Sequence, residues 1–121
     1  MSKTVLTVDD SRTMRDMLKH SLVAAGFRVI QAEDGVHGLE VLAEEKPDVI
    51  VTDINMPRMD GFGFIEAVRL DPAYRAMPML VLTTEVDAEK KARAKAAGAT
   101  GWIVKPFDPV KLVDAIRRVT A

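Results

Sequence analysis

The chain has no cysteine at any of its 121 positions. Disulfides, thiolate metal sites and cysteine nucleophiles are therefore excluded. No run of about 18 apolar residues exists, so no segment reads as a transmembrane helix. The opening "MSKTVLTVDD" is too short and too soon charged for a signal peptide. Charge of one sign is not in excess either: 18 acidic and 17 basic residues leave a formal net charge of -1. No basic balance points to nucleic acid. The interspersed charges read as solvated helix faces. These absences predict a soluble, cytoplasmic protein with neither DNA nor membrane among its partners.

What is present is a core. The composition is 48% hydrophobic, enough for one ordinary domain, and no stretch reads as a linker or an internal repeat. Five short apolar runs recur: "TVLTV" (4–8), "RVIQA" (28–32), "DVIVT" (48–52), "PMLVLT" (78–83) and "GWIVK" (101–105). The first, third and fourth are almost continuously apolar, as strands covered on both faces are. Helical patterns lie between them. "SRTMRDMLKHSLVAAG" sets Met14, Met17, Leu18 and Leu22 at helical spacing and stops at Gly26. "DGVHGLEVLAEEK" carries Val36, Leu39, Val41 and Leu42, and "GFGFIEAVRL" carries Phe62, Phe64, Ile65 and Val68. "DAEKKARAKAAG" is Ala-rich, ends at Gly98 and has few large apolar residues, so it is expected to be the loosest element. "DPVKLVDAIRRVT" opens on Asp108 as N-cap with Pro109 in the first turn, and Val110, Val113 and Ile116 mark its inward face. Strand and helix alternate five times. That pattern predicts an α/β fold, a parallel sheet with helices on both faces.

In such a sheet ligands bind beyond the carboxyl ends of the strands. Strand one ends in Asp9-Asp10, strand three in Asp53, strand four in Thr83-Thr84 and strand five in Lys105-Pro106. Taken singly, each of these polar residues reads as a cap or turn residue. Together they do not. Three clustered carboxylates repel one another and raise at least one pKa unless a cation is present. A hard divalent cation held by oxygen ligands resolves the conflict; Mg²⁺ takes one or two carboxylates and keeps waters.

With "VDDS" (8–11), "DINMPRMDG" (53–61), "TTE" (83–85) and "GATGWIVKPF" (98–107), the chain resembles the receiver domain of bacterial two-component response regulators, closest to the chemotaxis type. The resemblance covers essentially the whole chain. It implies one receiver domain over 1–121 with no output domain. It also implies the flavodoxin-like strand order 2-1-3-4-5, a single doubly wound five-stranded sheet with five helices.

The resemblance further implies roles. Asp53 is the phospho-acceptor. Asp10, Asp53 and the Asn55 backbone carbonyl hold Mg²⁺ directly, and Asp9 acts largely through a bound water. Lys105 pairs with Asp53 and then with a phosphoryl oxygen, which Thr83 also hydrogen-bonds. The Lys105–Pro106 peptide bond is cis in the family, aiming the lysine into the cleft. Thr83 and Trp102 form the switch, Trp102 standing where the best-known chemotaxis regulators carry Tyr. Asn55 and Glu85 tune the lifetime of the phosphoryl group. Thr84 replaces the usual Ala or Gly at the mouth. The implied partners are a sensor histidine kinase of the chemotaxis type, the flagellar motor switch protein and a phosphatase, with the receiver a monomer. The implied protein is not an enzyme but a switch that assists its own phosphorylation and dephosphorylation.

Other classes fit less well. An aspartyl-phosphate phosphatase needs Asp where Asn55 stands. A flavin carrier needs a hydroxyl- and glycine-rich phosphate loop after strand one, and a dinucleotide enzyme needs Gly-x-Gly-x-x-Gly there; "VDDSRTM" has no glycine. A regulator, phosphate sink or docking module in another phosphorelay is the alternative that stays open. His20 and His37 read as surface histidines, most of the seven Met residues as packing, and "KKARAK" (90–95) as a solvated helix face.

Overall fold

The computed structural model describes residues 2–121; Met1 of the expected 1–121 domain lies outside the described residues. Five strands form, β1 (Thr4–Val8), β2 (Arg28–Ala32), β3 (Val49–Thr52), β4 (Met79–Thr83) and β5 (Gly101–Val104). All pair in parallel, in the order β2-β1-β3-β4-β5. The central strands β1, β3 and β4 are buried at every residue, whereas the edge strands β2 and β5 are partly exposed. The continuous apolar runs thus occupy the positions covered on both faces.

The helices are α1 (Arg12–Ala24), α2 (Gly35–Glu44), α3 (Gly61–Leu70), α4 (Ala88–Ala97) and α5 (Pro109–Val119). Each starts on an Asp or Ser whose side chain accepts a backbone N–H of the first turn: Ser11, Asp34, Asp60, Asp87 and Asp108. These caps satisfy amides that the helix leaves open. A short 3-10 turn, Pro72–Tyr74, follows α3 and had no separate signal in the sequence reading.

Two cores flank the sheet. One gathers Leu6, Ile50, Phe64, Ile65 and Val81, and the other Val5, Leu18, Leu22, Leu80 and Ile116. Two residues expected at helical spacing on the inward faces point out. Met17 is 50% exposed and Val110 is 69% exposed. Val110 sits in the first turn of α5, and Leu112 joins Val113 and Ile116 on the buried side. His37 is only half-buried, and its Nδ1 accepts the Glu33 amide at 3.1 Å, so it is not a free surface histidine. The helix α4 buries only Ala94, the fewest of the five helices. Arg93 instead lies over the Phe62 ring, 4.1 Å from its centroid.

Phe64 is fully buried at the contact between α3 and the sheet. Phe64→Ala is expected to cost about 3–5 kcal/mol, read as a lower urea midpoint at unchanged m-value.

Candidate functional site

Strand register assembles the site. Val8 of β1 lies opposite Thr52 of β3, so the next residues, Asp9 and Asp53, leave the sheet side by side. Thr83 of β4 lies opposite Val104 of β5, and the Lys105 amide donates to the Thr83 carbonyl at 2.8 Å. The Lys105–Pro106 peptide is cis. The Lys105 side chain is 10% exposed, and its ammonium donates to Asp9 Oδ2 at 2.9 Å and to Asp53 Oδ2 at 2.8 Å. Each carboxylate keeps its other oxygen on a backbone amide. Asp9 Oδ1 accepts Ser11 N–H at 2.9 Å, and Asp53 Oδ1 accepts Ile54 N–H at 2.6 Å.

Asp9, Asp10 and Asp53 each present an oxygen within 4.8 Å of the others. Asp9 and Asp53 are buried and Asp10 is exposed. Burial pushes the Asp9 carboxyl above its ordinary value, against the pull of the Lys105 and Ser11 hydrogen bonds. Burial alone would lower the Lys105 ammonium, but its hydrogen bonds to Asp53 and Asp9 outweigh that and raise it. One ammonium among three carboxylates leaves two negative charges uncompensated. That deficit, in an all-oxygen donor set open at Asp10, fits a hard divalent cation such as Mg²⁺.

The other expected residues fall around this cluster. Thr83 is fully buried, and its Oγ1 accepts the Glu85 amide at 3.2 Å, leaving its O–H hydrogen to be donated. Thr84 is exposed at the mouth. Asn55 Nδ2 donates to Glu85 Oε1 at 3.0 Å, so these two side chains touch each other. Lys90 Nζ lies 3.0 Å from the same oxygen. The Asn55 and Lys90 hydrogen bonds hold the Glu85 carboxyl below its ordinary value. Trp102 stands apart from the acidic cluster. It is half-buried and lines a groove with Lys91, Ala94, Lys95, Ala99 and Thr100.

Three further supports escaped the sequence reading. Arg15 Nη1 donates to the Asp9 carbonyl at 2.6 Å. A Cβ on Gly61 would collide with the backbone of Asp53 and Ile54, so only glycine lets α3 begin this close to Asp53. Asp34 accepts both Arg58 Nε, at 2.7 Å, and Arg58 Nη2, at 3.0 Å. Arg58 and Asp34 stand 24 positions apart, so no local spacing links them, and the other two contacts depend on how the loops fold back on the strand ends.

Comparison with known proteins agrees with this geometry. Residues 5–117 match the family described as the response regulator receiver domain. The probable chemotaxis protein CheY of Rhizobium etli is 38% identical over 116 residues, covering 95% of this chain and 90% of the relative. The chemotaxis protein CheY1 of Helicobacter pylori is 38% identical over 117 residues, covering 95% and 94%. The solved structure of the Vibrio cholerae chemotaxis protein CheY4 is 47% identical, with a TM-score of 0.92 over 98% of this chain and 99% of that one. The fold is the flavodoxin-like doubly wound sheet. The chain belongs to the response regulator receiver domain family, whose members are phospho-accepting switches that bind Mg²⁺ at an acidic pocket.

Asp34 supplies a pH test away from the acidic cluster. Burial raises its carboxyl, but the Arg58 hydrogen bonds and the His37 amide outweigh that and hold it below its ordinary value of 3.8. A depressed folded-state pKa contributes stability that is complete above the unfolded value and lost as pH falls through the folded one. Asp34→Asn keeps a capping oxygen and removes the charge. Its stability is expected to fall less steeply than wild type below about pH 4 in urea titrations at a series of pH values.

Proposed function

We propose that Asp53 accepts a phosphoryl group from the phosphohistidine of a sensor kinase, and that the phosphorylated chain then engages a partner protein. The observation that carries this reading is the Lys105 ammonium shared between Asp9 and Asp53 beside the open carboxylate of Asp10. An Asp53 oxygen attacks phosphorus in line, the bond from phosphorus to the histidine nitrogen breaks, and an acyl phosphate forms on Asp53. Such transfers need positioning and charge neutralisation more than covalent help. Lys105 moves its hydrogen bond from the Asp53 carboxylate to a phosphoryl oxygen. Thr83, whose O–H hydrogen is free, donates to another. Asp9, Asp10, Asp53 and the Asn55 carbonyl would hold Mg²⁺, which when bound offsets the charge of the donor and acceptor anions.

The same geometry supports a switch. As Thr83 turns to the phosphoryl group, Trp102 moves inward from its half-buried site, and the face built from α4, β5 and α5 changes its binding preference. The touching pair Asn55 and Glu85 controls water access and supports a self-hydrolysing, short-lived phosphoryl group. The two chemotaxis relatives are matched over 90% and 94% of their own length. The names of those relatives favour a role in chemotaxis, and we read a chemotaxis-type kinase as the donor, the flagellar motor switch as the target and the cytoplasm as the setting.

Incubation with acetyl phosphate and Mg²⁺, followed by intact-mass spectrometry, is expected to show one added phosphoryl group. Asp53→Asn and excess EDTA should each abolish it; undiminished transfer in EDTA would sink the assignment. Binding to a motor-switch peptide rather than to a kinase core separates the chemotaxis reading from another phosphorelay.

Thr84 places a β-branched side chain at the mouth. Thr84→Ala is expected to speed phosphorylation by acetyl phosphate, measured by Trp102 fluorescence, without changing the urea midpoint.

A further inference from the structure

The loop between β3 and α3 leaves the sheet at Asp53 and closes where Gly61 N–H donates to the Ile54 carbonyl at 2.8 Å. At its tip Met59 N–H donates to the Pro57 carbonyl at 2.7 Å, a three-residue turn centred on Arg58. Arg58 has φ of 63°, the one positive value at a non-glycine residue among those described. A three-residue turn with positive φ at its centre is the rare, strained form. An arginine has no local reason to adopt it. Strain of this kind persists only where the surroundings over-determine the backbone.

The surroundings here are the first turn of α2. Both guanidinium donors of Arg58 close on the two oxygens of Asp34, whose side chain is 4% exposed. Bidentate, charge-assisted pairs of this type are among the strongest polar contacts and fix geometry as well. Gly35 N–H donates to the Met59 carbonyl at 3.2 Å. A Cβ on Gly35 would lie 2.7 Å from Met59 Cγ and 2.8 Å from the Met59 carbonyl oxygen, so the start of α2 meets Met59 directly at this glycine. Asp34 is itself held, because its Oδ1 caps α2 through the His37 amide at 2.9 Å.

Asn55 lies between these two anchors. On one side is the neck at Ile54 and Gly61, and on the other is the strained turn. We propose that Asp34 and Arg58 are positioning residues for the phospho-acceptor site: their ion pair holds the strained Pro57–Met59 turn and so fixes the Asn55 backbone for the divalent cation and its side chain for Glu85. This rests on the phospho-acceptor reading above. Without the pair the turn relaxes toward negative φ, and the slack reaches Asn55 before it reaches any helix.

Two variants isolate the pair. Arg58→Gln removes the charge and keeps the Cβ, so the positive-φ turn is left strained and unheld. Asp34→Asn keeps the α2 cap oxygen. Each, and the double variant, would be compared with wild type by amide exchange at Met59 and Gly61 without metal, by isothermal titration calorimetry with Mg²⁺, and by urea unfolding. The expected result is faster exchange at Met59 and Gly61, and a Kd for Mg²⁺ raised on the order of tenfold in each single variant. The double variant should be no worse than either single one, since both remove one interaction. An unchanged Mg²⁺ Kd and unchanged exchange at Met59, even with a lowered urea midpoint, would overturn the proposal and leave Asp34 a helix cap only. If wild type itself fails to bind Mg²⁺, the phospho-acceptor reading falls, and exchange at Met59 still decides whether the pair holds the loop.

Discussion

The structure turns on one ammonium ion held between two buried carboxylates. Lys105 Nζ lies within 2.9 Å of both Asp9 and Asp53, with its side chain 10% exposed. Taking such charges out of water is costly, and removing one member of the group leaves the others uncompensated. The contact therefore requires three strands to end at the same height. Strand β1 supplies Asp9, β3 supplies Asp53, and β5 supplies Lys105 one residue past its end. A one-residue slip in any of the three ladders that join them, β1 to β3, β3 to β4 or β4 to β5, would turn these side chains to opposite faces.

Much of the remaining architecture keeps those ends in place. Fully buried central strands leave little freedom of register. Gly61 lets α3 start against the Asp53 backbone, and the Asp34–Arg58 pair holds the far side of the loop. The side of the molecule that carries α4 is built differently. The helix α4 buries only Ala94 and is anchored at its edges by Lys90 on Glu85 and by Arg93 on Phe62. A helix tied by a few exposed contacts shifts more readily than one with a packed apolar face. Rigid strand ends beside a lightly held helix suit a site whose small changes must be read on the surface.

The strands were legible because burial on both faces leaves runs such as "TVLTV" and "MLVLT" with no polar alternation. The helices were legible from apolar spacing and from Asp or Gly at their ends, and their bounds moved by one or two residues. Misplacement occurred where spacing alone decides poorly. Val110 has the right residue type for the inward face of α5 but sits in its first turn, before the helix meets the sheet. Met17 lies beside Leu18 on α1, yet only Leu18 reaches the core. The cluster of Asp9, Asp10, Asp53, Thr83 and Lys105 was visible because each residue directly follows or ends an apolar run, and parallel strands deliver those ends to one edge.

The sequence by itself determined the alternation of strand and helix, the absence of thiol chemistry, and which polar residues stand at the strand ends. These follow from side-chain polarity and local spacing, which the chain carries without folding. Tertiary structure alone decided which carboxylate oxygens face Lys105, that Asn55 and Glu85 hydrogen-bond each other, and that Arg58 reaches Asp34. Those contacts join residues 24 to 96 positions apart. No local pattern encodes such a pairing, because what brings the partners together is the register of buried strands and the path of the loops above them.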